Sequence, residues 1–192
     1  MNTEEKLIKL AINGGISFGA KLNSKQLLTI AKYLNDGDEL ELTTFQLLYI
    51  EIPESKVEQA KEEFRGVGLS CYPVGNFVKS LRTCNFCKGA EEEGMPVAIE
   101  LNKRIAGKPV PFTLRPAYTG CPVGYDLYIG GKAKGKDAQK GVLFMQQLMP
   151  KQLYEAVEKI IDIYTEQGKK RESFSKFINR FGLDNLRNQI VG

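Results

Sequence analysis

The stretch LELTTFQLLYIEI, residues 40–52, decides the fold of the first part of this chain. Its Leu, Thr, Tyr and Ile residues are typical of a β-strand or a pair of strands. Helical patterns flank it on both sides. Ser24 is expected to cap the helix before it, and the helix after it is expected to begin at Pro53 and to run to about Gly66. Helices and strands therefore alternate around this stretch.

Two further strands complete the pattern. Residues 16–20 are predicted as a strand before the first of these helices, and residues 68–72 as a strand after the second. Residues 2–11 are predicted as a helix, because they combine a capping-box pattern with apolar residues at helical spacing. The resulting β-α-β-β-α-β order predicts a ferredoxin-like half domain, an α/β sandwich, over residues 1–70, and so an α+β fold class.

Residues 71–192 are expected to form a second domain of different composition. Glycine, proline and cysteine are frequent as far as about residue 135, and helical patterns fill the C-terminal part. Strands are predicted at 112–118, 125–129 and 142–148, and helices at 96–105, 150–164, 172–181 and 184–191.

Composition excludes several classes of function. The net charge of +4, from 27 basic and 23 acidic residues, is too small to favour nucleic acid as a partner. The sequence has no histidine, which excludes Ser–His and Cys–His nucleophile pairs and His-ligated zinc. The N-terminus does not resemble a signal peptide, and no apolar run is long enough to span a membrane. We therefore expect a cytoplasmic protein whose four cysteines are thiols or metal ligands rather than disulfides.

Three of the four cysteines have a spacing that suits a metal site. Cys84 and Cys87 form a C-x-x-C pair, and Cys121 lies far downstream between a glycine and a proline. An iron–sulfur cluster takes thiolates from one loop and from a distant segment, which fits this pattern. Zinc, a dithiol redox pair and plain buried thiols are the alternatives that the spacing leaves open. For Cys71, in a predicted strand, a small packed core residue is the simpler interpretation.

The order of several short motifs resembles one half of the nitrite and sulfite reductases, the enzymes that pair sirohaem with a [4Fe-4S] cluster. The likeness runs nearly from end to end of the chain, and it rests on the order and spacing of the motifs together. They are Thr43-Thr44-Phe45-Gln46, which resembles the family's T-T-R-Q; Gly75 to Lys79 ahead of Cys84; Thr119-Gly120-Cys121-Pro122; Tyr125 to Gly131; and Arg180-Phe181-Gly182-Leu183.

The resemblance implies a reductase-type 4Fe-4S half domain with C-terminal helices over residues 71–192. It also implies that Cys84, Cys87 and Cys121 bind a [4Fe-4S] cluster, and that Cys71, water or an external ligand completes the coordination. The partners implied are an electron donor of unknown identity and a small inorganic anion, and the residues implied to bind the anion are Lys79, Arg82 and Arg115. Because full-length reductases carry two such halves, a single half is expected to pair with itself as a homodimer.

The chain also departs from the family pattern. The family's first cysteine pair is C-x5-C, and its second is G-C-P-N-x-C, whose last cysteine bridges the cluster and sirohaem. Here the first pair is C-x-x-C, and the bridging position either holds Tyr125 or is deleted. The family's arginine that contacts sirohaem is Phe45 in this chain. The sirohaem site is therefore expected to be degraded.

Three functions follow from these patterns. The first is a nitrite/sulfite reductase-like iron–sulfur oxidoreductase or electron-transfer protein. The second is a cofactor-free relic that acts as a binding or assembly protein. The third is a heme-binding protein that holds sirohaem, or a related tetrapyrrole, without a bridging cysteine.

Overall fold

The computed structural model describes residues 5–14, 21–43, 47–81, 94–112, 114, 118–121, 124–132, 136 and 138–191. The chain divides into two compact units, Met1–Gly75 and Asn76–Gly192. The boundary predicted after residue 70 falls inside a strand, Ser70–Pro73, which pairs within the first unit.

The described residues of the first unit form a four-stranded antiparallel sheet and two α-helices. Its elements are β1 (Leu7–Asn13), α1 (Ser24–Ala31), β2 (Glu41–Leu42), β3 (Leu48–Pro53), α2 (Val57–Gly66) and β4 (Ser70–Pro73), and a 3-10 turn, Glu54–Lys56, leads into α2. The strand order is β2-β3-β1-β4. This β-α-β-β-α-β arrangement is the ferredoxin-like topology, and the predicted α+β fold class is confirmed.

The prediction of a helix over residues 2–11 is wrong, because its described part contains strand β1. This strand lies between β3 and β4 and pairs with both. Leu10, Ala11 and Ile12 are each fully buried, so the strand lacks the alternation of apolar and polar residues that reveals a half-buried strand. The strand predicted at 16–20 lies outside the described residues.

The core of the first unit forms where the helices cover the sheet. Ile30 of α1 and Ala60 and Phe64 of α2 pack in one cluster with strand residues such as Ile50. The cap of α1 is Asn23 rather than the predicted Ser24, and it forms a reciprocal capping box with Gln26.

The second unit combines a three-stranded antiparallel sheet with four helices among its described residues. They are α3 (Gly94–Ile105), β5 (Tyr118–Cys121), β6 (Gly124–Ile129), β7 (Val142–Leu148), α4 (Pro150–Gln167), α5 (Phe174–Phe181) and α6 (Leu183–Val191). The strand order is β5-β6-β7, and residues of α3, α4, α5 and α6 pack with β6 and β7 in one core. The predicted helices and the strands at 125–129 and 142–148 are confirmed.

The strand predicted at 112–118 is placed too early. The described strand β5 begins at Tyr118, and before it Leu114 forms an isolated bridge. Residues 113 and 115–117, which complete the predicted strand, lie outside the described residues.

Among the described residues, no helix combines the length and the apolar character needed to cross a membrane.

Candidate functional site

A tight connection between two strands carries Cys121. Strands β5 and β6 pair antiparallel, with Cys121 opposite Gly124 and Gly120 opposite Tyr125. Only residues 122 and 123 separate Cys121 from Gly124 in the chain. The backbone of Cys121 therefore lies at the end of the sheet, where β5 connects to β6.

Gly124 is required by the geometry of this connection. Its φ of 130° lies in the region that residues with a side chain rarely adopt. A Cβ atom at this position would lie 2.7 Å from the carbonyl oxygen of Leu148, in β7. A glycine at position 124 therefore allows the first residue of β6 to lie directly against β7. Only residues 122 and 123 separate this position from Cys121.

Tyr125, next in the chain, is a core residue. Its side chain is 2% exposed and belongs to the hydrophobic cluster of the second unit, and its backbone pairs with Leu148. The Tyr125 ring therefore packs in the hydrophobic core of the second unit.

The segment that leads toward Cys84 is held by backbone hydrogen bonds on two sides. On one side, the Val78 amide donates to the Lys108 carbonyl and the Gly107 amide donates to the Val78 carbonyl, both at 2.8 Å. On the other side, the Lys79 amide donates to the Leu114 carbonyl at 2.8 Å. This segment thus lies between the turn after α3 and the chain that leads to β5.

Of the predicted anion-binding residues, the structure describes only Lys79, whose side chain is partly buried. Its amide bonds to Leu114, and Leu114 directly precedes Arg115 in the chain. Arg82 and Arg115 lie outside the described residues, as does Phe45. The backbone of Lys79 is thus adjacent to the chain segment that continues into Arg115, and the anion pocket stays a prediction.

A buried asparagine lies beside the same segment. Asn102, on α3, is 9% exposed, and its Oδ1 atom accepts a hydrogen bond of 2.9 Å from the amide of Leu81. Leu81 precedes Cys84 by three residues. Sequence reasoning missed Asn102. The sequence does contain an indication of it. Asn102 is a polar residue next to Leu101, in a helix whose apolar face also includes Val97 and Ile105, and a buried polar side chain needs a hydrogen-bond partner.

Cys71 has a different environment from a metal-binding thiolate. It lies on β4 opposite Ile12, in the first unit, and its side chain packs against that unit's hydrophobic core. Burial raises the pKa of the Cys71 thiol to about 12. Because the thiolate is the form that binds metals, this environment favours a protonated, packed thiol.

Cys84 and Cys87 lie outside the described residues, and for Cys121 the structure describes the backbone. Within the described part of the chain, no group of three or more Cys, Asp and Glu side chains is arranged to hold a metal ion. The ligand set of Cys84, Cys87 and Cys121 therefore stays a prediction.

A ferredoxin-like unit followed by a three-stranded sheet with packed helices, and a cysteine at the β5–β6 connection, define a two-unit α+β protein with a candidate thiolate site. The sequence profile of the nitrite and sulphite reductase 4Fe-4S domain matches residues 7–192, which include parts of both units. The chain belongs to this family.

Two curated relatives and one solved structure are similar to this chain over most of its length. A cobalt-factor III methyltransferase of Priestia megaterium is 26% identical over 193 residues, which cover 92% of this chain and 35% of the relative. An assimilatory-type sulfite reductase of Nitratidesulfovibrio vulgaris is 20% identical, over 80% of this chain and 78% of the relative. The NirA protein of Mycobacterium tuberculosis superposes with a TM-score of 0.66 at 15% identity, over 96% of this chain and 39% of that chain.

These likenesses differ in what they show. The similarity to NirA, at its low sequence identity, shows the fold. The chain spans about a third of the length of the methyltransferase, so most of that protein lies outside the similarity.

Proposed function

We propose that this protein is an iron–sulfur oxidoreductase or electron-transfer protein of the nitrite and sulphite reductase type, with Cys84, Cys87 and Cys121 as cluster ligands. The observation that carries the proposal is the match to the 4Fe-4S domain family from residue 7 to residue 192. When bound, such a cluster supplies one-electron transfer.

The donor set fits a cluster in kind. Iron–sulfur clusters are held by thiolates, and the second unit contains three cysteines, at positions 84, 87 and 121. The packing of Cys71 against the other unit's core supports leaving it out of the ligand set. The fourth ligand is then water or an external group.

The chain segments that precede Cys84 and Cys121 contact each other at one point. Val78 and Leu114 form a parallel bridge, so the two segments run side by side in the same direction there. Cys84 follows Val78 by six residues, and Cys121 follows Leu114 by seven. This contact, which precedes both cysteines in the chain, supports assigning the two segments to one site.

A degraded sirohaem site is the second part of the proposal. In the register of the family's G-C-P-N-x-C motif, the bridging cysteine falls at Tyr125, whose side chain is buried in the core. The alternative is a deletion, since strand β6 already begins at Gly124, three residues after Cys121. Phe45 stands where the family has its sirohaem-contacting arginine. Sulfite or nitrite reduction at sirohaem is accordingly not part of the proposed function.

Cysteine variants test the ligand assignment. We expect anaerobic reconstitution with iron and sulfide to give visible absorbance that one-electron reduction bleaches. The variants Cys84→Ser, Cys87→Ser and Cys121→Ser should each lose most of this absorbance, since thiolates hold the iron. Cys71→Ser is the matched control and should retain it. Equal absorbance in all four variants would contradict the assignment.

A second candidate function rests on the match to the cobalt-factor III methyltransferase along 92% of this chain. It is that this protein binds cobalt-factor III. Titration of the reconstituted protein with cobalt-factor III, and separately with sirohaem, tests this candidate. A saturable shift in the visible spectrum with cobalt-factor III alone would support it, and an unchanged spectrum would exclude it.

A further inference from the structure

A cavity of about 240 Å³ lies in the first unit, between the chain that follows α1 and the first half of α2. Most of the residues that line it are polar, and Pro53, at the end of β3, adds an apolar side. Pockets for drug-sized molecules have volumes of roughly 300–1,000 Å³, so this cavity suits a smaller ligand.

Tyr33 lines this cavity and carries a buried hydroxyl that lacks a partner. Its ring packs edge to face against Phe64, with 5.4 Å between the ring centroids. The hydroxyl oxygen is buried and forms no hydrogen bond with any residue that the structure describes. A buried polar atom without a hydrogen bond is costly, so the Tyr33 hydroxyl points to a partner that the described chain does not supply.

The carboxylate of Glu63, which also lines the cavity, is already bound to two other donors. Its Oε1 atom accepts a hydrogen bond of 3.1 Å from Gln59, and its Oε2 atom pairs with Lys32 at 3.3 Å. Burial, and after it the nearby Glu63 carboxylate, raises the pKa of Tyr33 to about 12. The Tyr33 hydroxyl is therefore protonated at neutral pH and can donate a hydrogen bond to a ligand.

Lys56 gives the cavity a charge that the lining does not neutralise. Two lysines, Lys32 and Lys56, and one glutamate line the cavity, and Glu63 is paired with Lys32. Lys56 interacts electrostatically with Glu5 but forms no ion pair in the described part of the chain. The cavity thus combines a free ammonium with a hydroxyl donor, and both suit a negatively charged oxygen.

We infer that this cavity is a binding site for a small oxyanion or carboxylate, which accepts hydrogen bonds from the Lys56 ammonium and the Tyr33 hydroxyl. The inference does not rest on the proposed function, because the residues that line the cavity belong to the first unit and the cysteines of the proposed cluster to the second. It assigns the first unit a ligand of its own.

Titration of the full chain with inorganic phosphate, and separately with acetate, tests the inference by NMR of the backbone amide signals. We expect saturable changes for the residues that line the cavity. A response to phosphate alone identifies an inorganic oxyanion as the ligand class, and a response to acetate alone identifies an organic carboxylate. The absence of a saturable change with either probe up to about 10 mM would overturn the inference.

Variants of the two donors test how the anion is held. Lys56→Ala and Tyr33→Phe should each weaken binding about tenfold or more, since each removes a hydrogen bond to a charged ligand. Lys25→Ala removes the same charge from an exposed position of α1 outside the cavity, and should match the wild type. Equal weakening in Lys25→Ala and Lys56→Ala would contradict a specific site.

The stability of Tyr33→Phe separates ligand binding from a structural role of the hydroxyl. Because this hydroxyl has no partner among the described residues, its removal should leave the free energy of unfolding without ligand unchanged or raise it. Weakened binding with retained stability supports the inference. A variant that is less stable without ligand, and yet binds the anion as tightly as the wild type, would overturn it.

Discussion

At the scale of single residues, Cys71 and Cys121 occupy different places in the fold. Cys71 packs into a hydrophobic cluster beside β1, and its thiol has a raised pKa. Cys121 ends a strand at a tight connection, in the unit that also contains Cys84 and Cys87. The packing of Cys71 favours a structural role for that residue, and the role of Cys121 as a ligand stays part of the proposed function.

The reactivity of Cys71 can be measured directly. At pH 8 we expect iodoacetamide to modify Cys71 in the native protein at least about 100-fold more slowly than an unperturbed thiol, because very little of it is thiolate at that pH. Mass spectrometry of the modified peptides measures the rate, and the denatured protein provides the reference. Modification of native Cys71 at the denatured rate would contradict the packed environment.

Gly124 offers a test of the β5–β6 connection. We expect Gly124→Ala to lower the free energy of unfolding by about 1–3 kcal/mol or more, because both the φ angle and the contact with the Leu148 carbonyl are unfavourable for a Cβ atom. Gly94→Ala is the matched control, since a Cβ atom there meets nothing within 4 Å. Chemical denaturation measures both variants, and equal stability for the two would contradict the described geometry.

At the scale of elements, the sequence predicts the helices and strands whose apolar residues recur at regular spacing within the element itself. The C-terminal helices and strands β6 and β7 have clear periodicity, and all are found close to their predicted positions. For β1 the local pattern, a capping box with apolar residues at helical spacing, predicts a helix, and pairing with two strands distant in the sequence makes it a strand instead. Strand β5 begins at Tyr118, the last residue of the strand predicted at 112–118.

The connection between α4 and α5 depends on an ion pair. Arg180 donates to both carboxylate oxygens of Glu172 at 2.8 Å and also to the carbonyl of Gln167, at the end of α4. The Arg180 guanidinium is the main reason that the pKa of Glu172 is lowered to about 2. Because the pKa is lowered in the folded state, the stabilisation is present above the ordinary carboxyl pKa and is lost as pH falls toward 2.

Glu172→Gln tests this ion pair. We expect the variant to be less stable than the wild type by about 1 kcal/mol at pH 7, and the difference to shrink as pH falls from about 4 toward 2. Lys176→Ala, a change of charge at an exposed position of α5, is the control and should show no such pH dependence. A difference between Glu172→Gln and the wild type that stays constant from pH 7 to pH 2 would argue against the ion pair as its source.

At the scale of the whole molecule, the family match includes parts of both units. The order and spacing of short motifs can be read directly from the sequence, and they predict the family. The support that Asn102 gives to Leu81 could not be predicted in that way, because the two residues are 21 positions apart and meet only through folding. The ligand set of Cys84, Cys87 and Cys121 remains a prediction that chemistry must test.

Analysis of iron and acid-labile sulfide in protein purified without oxygen tests the central claim most directly. The proposed function predicts about four iron and about four sulfide per chain, in protein whose one-electron reduction is reversible. Protein that is folded, and yet holds neither iron nor sulfide after anaerobic purification and reconstitution, would contradict it.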